Sequence, residues 1–260
     1  MTFQPPAYLS PSSISTFQQC PLKFKFSRID RLPEPPTRAT LLGNFVHEVL
    51  EEMYGLPNDE RIKDAARSVA ARIFINNDWV NQITPYIDGV NINSERAVLL
   101  FKHDAWRCID NLWIIEDPIE VEPDGLEYEL IGEIDGVSLK GFIDRFTLGP
   151  DDSVTISDYK TGKTPKEQFA NQKFFQLLVY ANLIAELGVG SPTDLELLFL
   201  ESGRKFTKSV TPEDLKATRV TIRNIKDAVD QSCATGEFVT QTSKLCDWCT
   251  YKSICPAWGN

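Results

Sequence analysis

The chain has 260 residues, 42% hydrophobic and 25% charged, which is enough apolar material for a sizeable core and excludes a disordered polypeptide. Met1 to Ser10 has neither a basic start nor an apolar core, and no run reaches membrane-spanning length, so neither a secretory signal nor a membrane span is expected and the expected location is the cytoplasm. A formal charge of -10 argues against a nucleic-acid partner only if the charge is spread evenly.

Ser10-Pro11-Ser12-Ser13 supplies capping hydroxyls for a short helix that ends at Cys20-Pro21. Lys23-Phe24-Lys25-Phe26 alternates cation and ring, a pattern that can stack on bases but more often marks a half-buried strand or helix. Pro33, Pro35 and Pro36 form a stiff connector. Leu41 to Tyr54 has helical spacing, with Leu42, Phe45 or Val46, Val49 or Leu50, and Met53 on the buried side. Gly43, His47 and Glu51 share one stripe of that helix, and a lone histidine there is by itself usually structural. His103 fits no motif.

From Asp59 to Trp113 the pattern is mostly helical. Ala65, Ala66, Val69, Ala70, Ile73 and Phe74 form one apolar stripe, and Leu99, Leu100, Trp106, Leu112 and Trp113 form another. Trp79 and Trp106 read as core. Between Glu116 and Asp135 stand nine acids and no lysine or arginine; removing them from the total of 37 leaves 28 acids against 27 bases. The remainder is near neutral, so local basic grooves are compatible with the net charge. Within the acidic stretch, Ile119 and Val121, then Leu126, Tyr128 and Leu130, alternate with glutamates as edge strands with one wet face do. One of these glutamates can approach a catalytic centre, and the pattern does not say which.

Val137 to Leu148 reads as a strand with Phe142 and Ile143 in the core. Asp144 then sits between apolar neighbours, a costly place for a carboxylate unless a metal or Arg145 partners it. Val154, Thr155 and Ile156 lead a second strand into Ser157-Asp158-Tyr159-Lys160-Thr161-Gly162. Residues i and i+2 of a strand share a face, so Asp158 and Lys160 converge while Tyr159 points away. Two carboxylates on adjacent strands beside a lysine are what divalent-metal phosphodiester hydrolysis needs. Glu167 to Leu187 reads as a helix on which Gln172, Gln176 and Tyr180 form a polar-tipped stripe. Asp194 to Leu200 is a buried strand, and Thr211 to Ala234 a closing helix capped by Thr-Pro-Glu-Asp. Cys246, Cys249 and Cys255 crowd one end and Cys20 stands near the other, an odd distribution for a zinc ribbon, and Cys108 and Cys233 read as buried thiols.

Gly43-x-x-x-His47-x-x-Leu50-Glu51, Gly141-x-x-Asp144-Arg145, Asp158-Tyr159-Lys160-Thr161-Gly162 and Gln176-x-x-x-Tyr180 resemble, in order and spacing, the RecB-like branch of the PD-(D/E)XK nucleases. The motifs together span residues 40–185 and are specific as a set, while 55–115 contributes little. The resemblance implies an α/β, restriction-endonuclease-like fold, with a central mixed β-sheet flanked by helices in a single domain over 1–260. Within it, 41–115 would be a helical layer, 116–200 the nuclease core, and 1–30 with 235–260 an iron-sulfur region stapling the termini. His47, Asp144, Asp158 and the Tyr159 carbonyl are implied to hold Mg²⁺ or Mn²⁺, and Lys160 to align the attacking water. Gln176 and Tyr180 are implied to face the centre and contact DNA or steady Lys160.

Iron-sulfur members of the branch, similar to CRISPR-associated and AddB-type exonucleases, carry one early cysteine, often before proline, and three late ones. Cys20-Pro21, Cys246, Cys249 and Cys255-Pro256 match that pattern and imply a [4Fe-4S] cluster, with structural Zn²⁺ as the alternative for the same thiolates. The implied activity is a metal-dependent DNA exonuclease in recombination, repair or phage DNA metabolism. Its substrate would be single-stranded DNA or DNA ends, threaded between the helical layer and the sheet. The alternatives are a CRISPR-associated end-trimming nuclease working with partner proteins and a non-catalytic DNA-binding or assembly subunit. The second is disfavoured by the complete acid, acid, lysine and histidine set.

Overall fold

In the computed structural model, which describes residues 2–83, 94–167 and 170–258, the first helix begins where the sequence offers a cap. Ser10 Oγ accepts from the Ser13 amide and Ser13 Oγ reaches back to Ser10, a reciprocal cap on α1 (Pro11–Gln19). Cys20 ends α1 and opens α2 (Pro21–Phe24), its Sγ accepting from the Lys23 amide. A π-helical turn, Lys25–Ile29, follows. Thr37 caps α3 (Arg38–Tyr54), and α4 (Lys63–Asn76), α5 (Trp79–Ile83), α6 (Ser94–Asp110) and α7 (Leu112–Ile115) complete a helical layer.

The sheet then forms in chain order. β1 (Gly125–Ile134) and β2 (Val137–Leu148) are joined by Asp135 and Gly136, both left-handed at φ 50° and 83°. That conformation matches the strand twist in a two-residue hairpin, and Asp-Gly tolerates it. β3 (Ser153–Lys160) pairs antiparallel with β2; α8 (Phe175–Leu187) crosses over to β4 (Ser191–Phe199), which runs parallel to β3; β5 (Arg204–Ser209) closes the sheet. Helix α9 (Pro212–Thr235) starts at the expected Thr211 cap and stops at Gly236, φ 79°.

Two cores hold this mixed five-stranded sheet between helices. Leu139, Ile143, Ile156, Leu195 and Leu197 pack against α8, α9 and α1, while Tyr159, Leu198 and Leu200 pack into the helical layer built on α3. Cys108 and Cys233 are buried thiols, as expected. No helix among the described residues is long and apolar enough to cross a membrane.

Several sequence expectations need correction. Leu99 and Leu100 are exposed; the buried stripe of α6 is Phe101, Ala105, Cys108 and Ile109, because α3 approaches from the other side. Ala65 and Trp106 are half-buried, the latter with the Arg67 guanidinium 4.7 Å from its ring centroid. Pro118–Glu120 is a 3₁₀ turn capped by Asp117, so the alternation around Ile119 is not a strand. Tyr128 is exposed on β1, an edge strand. Phe142 is 44% exposed, whereas Ile143 is core. The helix expected from Glu167 begins at Phe175 after a 3₁₀ turn at Asn171–Phe174, which removes Gln172 from the Gln176–Tyr180 stripe. The parts of expected helices at 84–93 and 168–169 lie outside the described residues. Tyr159, Leu198 and Leu200 pack against α3 where the helical layer meets the sheet.

Beneath the sheet margin lies a buried ion pair. Arg145 is 2% exposed and grips Glu116 with both terminal nitrogens, at 2.5 and 2.9 Å, and Ser157 Oγ at 3.2 Å. Its guanidinium lies 4.9 Å from the Tyr54 ring centroid and 5.6 Å from that of Tyr159, and Tyr54 donates to Glu116. Arg145 therefore answers to Glu116, not to Asp144. Burial alone would push the Glu116 carboxyl up; the hydrogen bonds and charge of Arg145, with Tyr54, outweigh it and hold the group below its ordinary value. Its stabilisation is complete above the unfolded-state value of about 4.3 and fades as pH falls through the lower folded-state value. Arg145→Met should lower the unfolding free energy at pH 7 by about 3–5 kcal/mol, because it strands a buried carboxylate. Adding Glu116→Leu should recover part of that loss in urea melts; a single variant as stable as wild type would show that the pair contributes nothing.

Candidate active site

The ladder between β2 and β3 runs only from Arg145–Ser157 to Leu148–Val154. One step further, the facing positions are Asp144 and Asp158, and there the strands part. Ile143 and Phe146 reach the same core although three residues apart, so β2 twists sharply at this point. Asp158 and Lys160 do converge, with Nζ 2.6 Å from Oδ2, and the intervening Tyr159 side chain is buried on the other side against α3. Asp158 Oδ2 is buried, and the Lys160 ammonium is its counter-charge.

The Tyr159 backbone is used twice. Its amide donates to Asp144 Oδ2 at 2.7 Å, and its carbonyl oxygen lies 2.9 Å from His47 Nε2. A carbonyl can only accept, so Nε2 carries a proton and Nδ1 is the nitrogen turned toward acids. Nδ1 lies 3.5 Å from Asp144 Oδ2 and 3.7 Å from Glu127 Oε1. His47 arrives on α3 because Phe45, Val46, Val49 and Leu50 anchor that helix on the core, leaving position 47 toward the strand ends. On the other side, Gln176 and Tyr180 rise from α8. Lys160 Nζ reaches Gln176 Oε1 at 3.5 Å, and Gln176 Nε2 donates to the Tyr180 hydroxyl at 3.2 Å. Gly141 is required here: a Cβ on it would stand 2.4 Å from the Tyr180 ring.

The structure thus brings together His47, Asp144, Asp158, Tyr159, Lys160, Gln176 and Tyr180. It adds Glu127, which no motif named. Glu127 sits opposite Asp144 in the β1–β2 register and adopts φ 41°, a left-handed conformation uncommon for glutamate. The signal was present: counting back from the Asp135-Gly136 turn places Glu127 across from Asp144. His103 pairs with Asp104 on the surface of α6, away from these motifs.

The electrostatics are lopsided. Burial works against the His47 imidazolium, yet Glu127, Asp144 and Asp158 overcome it and raise the group to about 9. Burial and the Asp158 charge push the Asp144 carboxyl up to about 7, opposed by His47, the Tyr159 amide and Lys160. Such a site takes up protons where a cation can sit. The facing atoms of His47, Glu127 and Asp144 all lie within 4.8 Å of one another. With Asp158 near enough for its charge to act on both His47 and Asp144, this oxygen-rich set with one imidazole suits Mg²⁺ or Mn²⁺. The Tyr159 carbonyl already accepts from His47, so its expected metal contact would use its second lone pair.

The Gene 69 protein of Mycobacterium phage D29 is 30% identical over 272 aligned positions, which cover 95% of this chain and 96% of that protein. A crystal structure of a candidate exonuclease from Eubacterium rectale shares the fold, with a TM-score of 0.60 over 95% of this chain and 89% of that one at 12% identity. The model of the PD-(D/E)XK nuclease superfamily matches residues 8–256, from the segment before α1 to the last cysteine. That match takes in every group gathered at the parting of β2 and β3, and the chain belongs to the PD-(D/E)XK nuclease superfamily.

Proposed function

We propose that this nuclease is a divalent-metal-dependent DNA exonuclease acting on single strands or DNA ends. The observation that carries the reading is the cluster of His47, Glu127 and Asp144, with Asp158 close enough for its charge to act on His47 and Asp144 and with its own ammonium partner, Lys160. A divalent ion held by these groups would supply positive charge to the phosphate and lower the pKa of a bound water. Asp144 is preset by the Tyr159 amide, and His47 by the Tyr159 carbonyl, so the ligands spend little ordering on binding. Lys160, tied to Asp158 and braced by Gln176, keeps its ammonium where it can orient the attacking water and offset charge on the phosphorane. The end-to-end similarity to a mycobacteriophage protein supports a place in phage DNA metabolism.

The cysteines support a second cofactor. Cys20, Cys246, Cys249 and Cys255 are free thiols lining one cavity of about 200 Å³ between the two ends of the chain. The Phe26–Tyr251 edge contact and the Tyr251 hydroxyl on the Leu32 carbonyl hold those ends together. These four thiolates would ligate a [4Fe-4S] cluster, with structural Zn²⁺ as the alternative for the same sulfurs.

Asp158→Ala and Lys160→Ala should each cut Mn²⁺-dependent degradation of end-labelled DNA by at least about 10²-fold while the protein stays folded and melts cooperatively; wild-type rates in either variant would defeat the nuclease assignment. Protein purified without oxygen should be brown with broad visible absorption, lost in Cys249→Ala. Colourless protein loaded with zinc would replace the cluster with a zinc site.

A further inference from the structure

Beyond the point where β2 leaves β3, its edge takes a different partner. Leu9 bonds to Ser138 and Lys140 through their backbones, leaving residues 141–144 without a strand partner on that side among the described residues. A groove of about 440 Å³ follows this stretch, bounded by the segment before α1, the π-helical turn and the first turns of α8. Gln176 and Tyr180, which reach Lys160, form its inner end.

The groove carries rings and cations. Tyr8 and Phe142 line it and are 47% and 44% exposed. Arg28 and Lys140 line it too. Arg28 is exposed and has no ion-pair partner among the described residues. Lys140 leans over the Phe142 ring, 5.6 Å from its centroid, and meets Glu129 at 2.5 Å. Along β2, Lys140, Phe142 and Asp144 alternate with the buried Leu139, Gly141 and Ile143, so they project in a row away from that core. A strand advances about 6.7 Å for every two residues, which puts the Phe142 position about 7 Å and the Lys140 position about 13 Å from the catalytic carboxylate. Rings that accept any base, interleaved with cations, are how proteins hold single strands without reading sequence.

We propose that this groove is the track of a single nucleic-acid strand running to the metal site, with Phe142 and Tyr8 stacking on bases and Lys140 and Arg28 meeting phosphates. The assignment rests on the nuclease reading and makes it specific: an unpaired strand lies along the free edge of β2, on the side of the segment before α1. A paired duplex, with its bases already stacked on each other, offers these rings no free base face.

The test is fluorescence anisotropy of a labelled single-stranded DNA oligomer, with Ca²⁺ in place of Mn²⁺ so that binding is read without turnover. Phe142→Ala and Tyr8→Ala should each weaken binding about tenfold or more, with Phe142→Trp and Tyr8→Phe close to wild type. Lys140→Gln and Arg28→Gln should each reduce the slope of log affinity against log salt by about 0.7. Affinity unchanged in both alanine variants, with thermal melts like wild type, would overturn the track. An equal loss of affinity for a blunt duplex would overturn its assignment to single strands. Protein that holds the oligomer through these residues yet fails to degrade it in Mn²⁺ would sink the nuclease reading and leave the track standing.

Discussion

Two like charges at facing positions of neighbouring strands are the constraint on which this molecule is built. Had the β2–β3 ladder continued one step past Arg145–Ser157, the Asp144 and Asp158 carboxylates would have been side by side in a buried setting. Like charges directly opposite each other destabilise a sheet, and burial multiplies the cost. The strands separate there, and each acid finds another partner: Asp144 the Tyr159 amide, Asp158 the Lys160 ammonium. The gap so opened is where His47, Glu127 and Gln176 can enter from three different elements. Strain and negative charge are concentrated where a phosphate and a cation would have to come together.

Such a site survives only on a stiff foundation. Arg145 and Glu116 supply it, locked in a bidentate pair beneath Tyr54 and Tyr159. The stacked pair Tyr54–Tyr159, rings 6.5 Å apart, links the helix that carries His47 to the strand that carries Asp158 and Lys160. The motif arginine thus serves geometry, and the acid-rich stretch contributes twice: Glu116 to this foundation and Glu127 to the site above it. Much of the negative charge that made the chain look unsuited to a polyanion is spent on these two tasks and on surface pairs such as Asp135 with Arg219 and Arg223.

The segment before α1 illustrates how the ends of the chain bear on the centre. It adds a bridge to β2 at Leu139, caps α1, and delivers Cys20 to the cavity shared with the C-terminal cysteines. Clamping the two termini together therefore also fixes one wall of the groove beside the active site.

Period and local chemistry were legible in the sequence. Strand β2 has the expected bounds, α9 starts at its Thr-Pro cap, and the Asp158–Lys160 convergence follows from strand geometry alone. What could not be read locally was which flank of a helix or strand would be covered. The fate of Leu99, Leu100 and Phe142 depends on where α3 and the segment before α1 come to rest, and no window of sequence contains both partners. Glu127 stands between these cases, since a hairpin count fixes its neighbour but only packing around His47 gives it a role. Sequence by itself determined the motif residues and the strands and helices that carry them, because those depend on spacing along one segment. Only the tertiary structure decided where β2 and β3 separate and what fills the gap, because that balance is struck between buried charges brought together from distant parts of the chain.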